Sequence, residues 1–330
     1  MGAKKLEIEP KLEIQYDLSE LDLNVSAIET LKNNPRWKLW KEEADNGMFA
    51  VSFSKCNRIL QSPLNMVQGI CEQSKSTDAM RFGTFVHETV LQPEKIKKKY
   101  MALPYDTQRG KDINLKKGEI GKTHFGKYVE LAEKRGIEKD CIIDKSDYLE
   151  ARLIQDIIHS EINCKTIIER AIAFEKEFHF NYWYKGKLFR FHGLIDALLN
   201  ALACLDLKNM AAAKMSRYDR VLEWDNYFMQ AVIYLLYLHL DDKTNPNNQI
   251  KGAARYSRIV NDVIMQGEFW FICSDGKGVK PPLRVSPRGL SLGFRLLHNA
   301  LDKFIDCQFF DNWFESYKPN QNISEYFITD

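Results

Sequence analysis

The pattern of apolar and polar positions divides the chain into helical stretches, a short run of strands, and polar or basic breaks. Residues 79–91, AMRFGTFVHETVL, space Phe82, Phe85, Val86, Thr89 and Val90 as one face of a helix does, and Pro93 stops that helix. Upstream, Ser54 is the expected N-cap of a short helix closing near Ser62-Pro63. Residues 128–135 and 146–173 carry the same period and predict two helices. The period next falls to two. Phe174, Phe178, Phe180, Tyr182 and Tyr184 line one side of a strand, with Glu175, Glu177 and His179 on the other. A tight turn at Lys185-Gly186-Lys187, a second strand over 188–199, a turn at 200–201 and a third strand over 202–208 complete an antiparallel meander. Residues 224–240 form the strongest helix and 243–248, KTNPNN, a loop; 263–272 read as a further strand and 287–310 as a helix. The fold class expected is α/β, a mixed central sheet with an antiparallel meander, flanked by helices.

Composition sharpens this picture in a few places. With 45% hydrophobic and 28% charged residues, a packed core is expected, and neither wholesale disorder nor a coiled coil. Forty-seven basic against 45 acidic residues leave a net charge of +2, so placement of charge matters more than its sum. The cations gather between 95 and 127, at Lys95, Lys97, Lys98, Lys99, Arg109, Lys111, Lys116, Lys117 and Lys122, interleaved with Gly110, Gly118 and Gly121. That stretch reads as a mobile basic loop. Seven cysteines, an odd number without any CxxC pair, suit reduced thiols in the cytoplasm. The apolar run over 227–240 is shorter than the ~20 residues a membrane span needs, so no membrane role is expected. Residues 1–50 read as a loosely attached N-terminal segment, 51–310 as one domain into which the basic loop 95–127 is inserted, and 311–330 as a C-terminal tail.

The meander places acidic side chains in unusual company. Asp196 lies on the polar face of the second strand. Asp206 and Lys208 are two apart on the third and point the same way, and Glu177 leaves the first strand on its non-aromatic side. Carboxylates crowded together repel one another unless a hard cation neutralises them, and Mg²⁺ takes oxygen ligands of this kind. A lysine beside such a site would steer a metal-bound water and offset charge on a phosphate, the work of metal-assisted phosphodiester hydrolysis.

The surrounding residues carry a resemblance. Gly193-Leu194-Ile195-Asp196, then Asp206-Leu207-Lys208, then Gln230 and Tyr234 four apart on a helix, resemble the PD-(D/E)xK nuclease superfamily. The likeness is most specific to RecB-type nuclease domains and to the phage exonucleases of the RecE (exonuclease VIII) and lambda types. Ser54-Lys55 through Ser62-Pro63 looks like that family's S-x-L…S-P helix. Phe82-Gly83-Thr84-Phe85-Val86-His87, followed by Leu91-Gln92-Pro93-Glu94, looks like its G-T-x-x-H motif. The agreement spans roughly residues 50–240.

The resemblance implies a restriction-endonuclease-like core. In it His87, Asp196, Asp206 and the backbone carbonyl of Leu207 would be metal ligands for Mg²⁺, with Mn²⁺ as a second choice, and Lys208 would position the attacking water. Glu177 would be the upstream glutamate, with Glu175 two residues earlier as a competing choice. Gln230 and Tyr234 would lie beside the DNA, and Lys97, Lys98, Lys99, Lys116 and Lys117 would meet its phosphates. Ile195 stands where many members have proline and Asn209 where threonine is common; neither removes a ligand. The four-cysteine pattern of some relatives is missing, so no iron–sulphur cluster is expected. The activity implied is digestion of double-stranded DNA from an end, 5′ to 3′, leaving 3′ single-stranded overhangs for recombination. Implied too are a phage or prophage setting, a single-strand annealing protein as partner and a ring-shaped homo-oligomer. A structure-specific or restriction-type endonuclease is the first alternative. A catalytically idle nuclease-like module that binds DNA or protein is the second.

Overall fold

The structure is a computed structural model that describes residues 26–72, 78–104 and 124–314, apart from positions 201, 211, 219, 221, 223, 224 and 242–252. A helix over 26–32 (α1) is followed by α2 (Pro35–Asp45), which starts where Asn34 caps the backbone N–H of Arg36 and Pro35 takes the first turn, a position that needs no donor. Trp37 and Trp40 of α2 are buried, stacked at 5.5 Å, and Trp40 meets Trp313 edge-on at 5.3 Å. The expectation of a loosely attached segment therefore fails for residues 35–50, whose tryptophans belong to the main core. The same core takes in Trp313, from the stretch read as a tail.

After β1 (Met48–Val51) come α3 (Phe53–Gln61) and α4 (Pro63–Cys71). Ser52, not Ser54, caps α3 by accepting from the Lys55 N–H, and Ser62 caps α4 in the same way from Asn65. Next come α5 (Asp78–Leu91) and α6 (Pro93–Lys99). The basic stretch thus opens as a helix rather than a loop, because Pro93 at its first turn and buried Ile96 anchor it. Strand β2 (Met101–Ala102) pairs in parallel with β3 (Ile142–Ile143), and α7 (His124–Lys134) lies between them in the chain. Lys116 and Lys117 lie outside the described residues.

Two helices, α8 (Lys145–Ser160) and α9 (Ile162–Glu169), lead into the meander of β4 (Ala173–Tyr184), β5 (Lys187–Asn200) and β6 (Ala203–Asn209). Its first turn places Lys185 at φ 47° and Gly186 at φ 76°, the paired left-handed conformation that matches strand twist in a two-residue hairpin. β4 runs along one edge of β5 throughout, from Tyr184↔Lys187 to Ala173↔Leu198. The opposite edge is shared: β1 pairs in parallel with Leu188–Phe191, and β6 pairs antiparallel from Ala197 onward. The chain then passes through α10 (Tyr227–Asp241) and α11 (Ala253–Gln266) to β7 (Glu268–Ser274), which lies parallel to β6, and β8 (Leu283–Arg284) closes that edge. The result is a mixed sheet flanked by helices, as expected. Val263 is helical rather than the start of a strand, since Ile259 and Val263, four apart, are buried together on one face of α11. The last helix, α12 (Pro287–Phe310), matches its predicted bounds.

Two cores sandwich the sheet. The main one is rich in aromatic rings and lies under α2, α3, α10, α11 and α12; the second is largely aliphatic and lies under α5, α8 and α9. All seven cysteines are free, and among the described residues no helix is long and apolar enough to cross a membrane.

Candidate active site

The β4–β5 ribbon changes sides where the acidic residues sit. Phe178 of β4 and Ile195 of β5 belong to the main core, yet Phe174 and Ala197, a few residues further along, pack in the second. The ladder skips the pair between Lys176↔Ile195 and Phe174↔Ala197, and Glu175 there adopts φ 50°. Such a break re-aims side chains, as bulges beside active sites commonly do. Gly193 is needed just before it, because a Cβ would lie 2.6 Å from the Phe178 ring.

Asp196 emerges at this break. Its Oδ2 accepts the backbone N–H of Leu207 at 2.9 Å, which fastens β5 to β6, and lies 3.2 Å from His87 Nδ1 on α5. Burial opposes charge on this carboxyl, but the His87 imidazole, Lys208 and the Leu207 N–H outweigh burial and hold it below the usual carboxylate range. Burial likewise opposes charge on His87, while Asp196 and Asp206 prevail and raise its pKa.

Asp206 is deeper and held differently. Gln230 Nε2 donates to its Oδ1 at 2.8 Å, and Lys208 Nζ lies 2.7 Å from its Oδ2. Among the described residues Oδ2 meets the Lys208 ammonium and no other donor. Burial, with Asp196 adding to it, pushes the Asp206 carboxyl up to about 6 despite Lys208. Lys208 in turn donates to Gln230 Oε1 at 3.0 Å and sits 4.3 Å above the Tyr227 ring, a cation–π contact. Burial alone would lower its pKa, but Asp206 raises it. Gln230 Nε2 also donates to the Tyr234 hydroxyl at 2.8 Å. One amide therefore reads carboxylate, ammonium and phenol at once. It can do so because Gln230 and Tyr234, four apart on α10, share a face.

The structure thus brings His87, Asp196, Asp206, Leu207, Lys208, Gln230 and Tyr234 together. Gln230 and Tyr234 are buried, which makes them supports of Asp206 and Lys208 rather than a surface for DNA. Glu177 is exposed and faces Leu194 across the ladder, whereas Glu175 is half-buried in the register position opposite Asp196 and close enough to Lys99 and Tyr100 to perturb both. Lys97 and Lys98 are exposed on α6. Lys99 pairs with Glu88, a buried carboxylate adjacent to His87. Among the described residues no three His, Cys, Asp or Glu side chains form a ready-made metal cage. Sequence reasoning missed Tyr227 and the Glu88–Lys99 pair. Tyr227 was findable, since it stands three before Gln230 and so shares its helix face.

No family model and no curated protein matches this sequence. One solved structure, of a candidate exonuclease from Eubacterium rectale, aligns over 88% of this chain and 90% of its own, with 10% identity and a TM-score of 0.47. A likeness that distant transfers neither a residue nor an activity.

Proposed function

We propose that this chain is a metal-dependent deoxyribonuclease that hydrolyses double-stranded DNA from an end. The observation that carries the reading is the buried pair of carboxylates, Asp206 driven up by burial and by the neighbouring Asp196, with Lys208 beside them. Two carboxylates buried this close oppose each other's charge, and a divalent cation would relieve that. The donors available, carboxylates from Asp196 and Asp206, the His87 imidazole and the Leu207 carbonyl, suit Mg²⁺ or Mn²⁺. Bound there, such an ion would acidify a water and withdraw charge from the scissile phosphate.

The chain's own groups have separable tasks in this reading. Asp196 and His87 hold each other, so the α5 side presents one carboxylate in a fixed direction. Gln230 holds Asp206 and Lys208 at once, and Tyr234 fixes the amide so that its oxygen faces the ammonium. Lys208, charged and immobilised over Tyr227, offers its Nζ to the attacking water or to a phosphate oxygen. Glu175, opposite Asp196, is better placed than Glu177 for the upstream carboxylate role. Polarity of 5′ to 3′, 3′ overhangs, a single-strand annealing partner and a ring-shaped homo-oligomer are drawn from the motif resemblance and belong to the same proposal.

One second reading is an idle nuclease-like binder, in which Lys208 neutralises Asp206 where a metal would otherwise do so. Linear duplex DNA labelled at either end, incubated with Mg²⁺, with Mn²⁺ and with EDTA, separates the two. Shortening from one end, abolished by EDTA, with closed circular duplex left intact, is the expected result. Intact linear DNA under every metal leaves the idle reading standing, and nicking of closed circles points to an endonuclease.

A further inference from the structure

The site described above occupies the point where the β4–β5 ribbon passes from a covered half to an open one. Beyond it the second core and its helices cover the sheet. Before it the same side of the ribbon faces solvent. Glu177, His179, Asn181 and Trp183 of β4 and Leu194 of β5 are exposed, with Arg190 and His192 half-buried among them. Register makes this one surface, because His179 faces His192, Asn181 faces Arg190 and Trp183 faces Leu188 across the ladder. Trp183 and Leu194 are 52% and 42% exposed, far more than a sheet face normally leaves of such side chains. From Leu188 to Asp196 is eight residues of strand, about 26 Å.

The chemistry of this surface is particular. Arg190 is balanced by Glu43 from α2, Lys55 lies near His192, and two imidazoles stand between Arg190 and Leu194. Lys55 spends its ammonium on the Ala50 carbonyl at 2.9 Å and lies close enough to depress the pKa of His192, whose first cause of depression is burial. His179 and His192 meet edge to face at 6.4 Å, and His192 Nδ1 has no hydrogen-bond partner. A duplex backbone would call for a row of uncommitted lysines and arginines. Rings, imidazole donors and an exposed indole instead suit unpaired bases, which stack on aromatic side chains without regard to sequence.

We infer that the open face of β4–β5, from Trp183 through His192 to Leu194, is the track on which a single DNA strand lies on its way to Asp196. The inference rests on the nuclease reading for its ligand class but is read out by binding. In the full-length Asp206→Asn chain with EDTA present, a fluorescein-labelled oligothymidine should lose about tenfold in affinity on adding Trp183→Ala. Trp183→Phe should keep affinity within about twofold, and binding of a blunt duplex should change little. Unchanged oligothymidine affinity in Trp183→Ala overturns the track. So does an equal loss for both ligands, or a change in sedimentation showing that Trp183 is instead covered by a second copy. Failure of the wild type to cut labelled duplex under any metal sinks the nuclease reading alone, and Trp183-dependent oligothymidine binding would survive it.

Discussion

The two central carboxylates are one strand apart, yet each is governed by a different core. Asp196 is gripped from the aliphatic side, by His87 on α5, and carries its charge easily. Asp206 is gripped from the aromatic side, by Gln230 on α10, and is buried deeply enough that its charge is held at a loss. Neighbouring groups of one chemical type therefore differ in what they can do. Asp196 is a settled anion that also ties β5 to β6, whereas Asp206 is charged only against burial, with Lys208 as its counter-charge. The difference follows from the side change at Glu175 and Asp196, which puts the site on the seam between the cores.

The sharpest way to test that contrast is to remove each charge in turn. Both Asp196→Asn and Asp206→Asn are expected to lower turnover of linear duplex by on the order of 10³-fold, about 4 kcal/mol of barrier, in a single-turnover assay. A variant retaining a tenth of the rate would exclude its carboxylate from the reaction.

The two carboxylates should then make stability depend on pH in opposite directions. For Asp206 the folded pKa, about 6, lies above the ordinary value of 3.8, so its favourable contribution is full below pH 4 and is lost as pH rises through about 6. Asp206→Asn should remove that decline with pH, while stranding the buried Lys208 ammonium costs stability at every pH where the lysine is charged. Asp196, held low, contributes stability that is present above its unfolded pKa and lost only in acid, so Asp196→Asn should lower the melting temperature at pH 7. His87, raised, adds a further decline above pH 6.5, which Asp206→Asn should reduce, because Asp206 is part of what raises it. Melts from pH 4 to 8 in EDTA read all three. The same change in the slope of stability against pH in the two aspartate variants would erase the contrast.

Two smaller effects probe the supports on either side. Lys99→Met strands buried Glu88 next to His87 and should cost about 2 kcal/mol in denaturant melts, with Glu88→Gln added to it restoring most of that. If Lys99 were mainly a phosphate contact, stability would hold while the salt dependence of DNA binding flattened. On the aromatic side, Tyr234→Phe removes one acceptor from Gln230 and is expected to cost about 1 kcal/mol, with turnover down severalfold and KM unchanged. A rise in KM alone would return Tyr234 to the DNA surface.

Local pattern carried much of this protein. The period-two run from Phe178, the Lys185-Gly186 turn and the bounds of α12 follow from residues close in sequence, whereas Phe174, beyond the break at Glu175, packs in the other core. Spacing also placed Asp206 beside Lys208 and Gln230 beside Tyr234, because two along a strand and four along a helix are geometric certainties once the element is known. Tertiary structure decided the rest. That Gln230 and Tyr234 support the site from within, that Glu175 rather than Glu177 stands opposite Asp196, and that Lys99 belongs to Glu88 all depend on which side of the sheet each helix covers. So do the burial of Trp37 and Trp40 and the seam between the cores. Burial and the partners of a charge are properties of segments far apart in the chain, and packing determines them; no local period can.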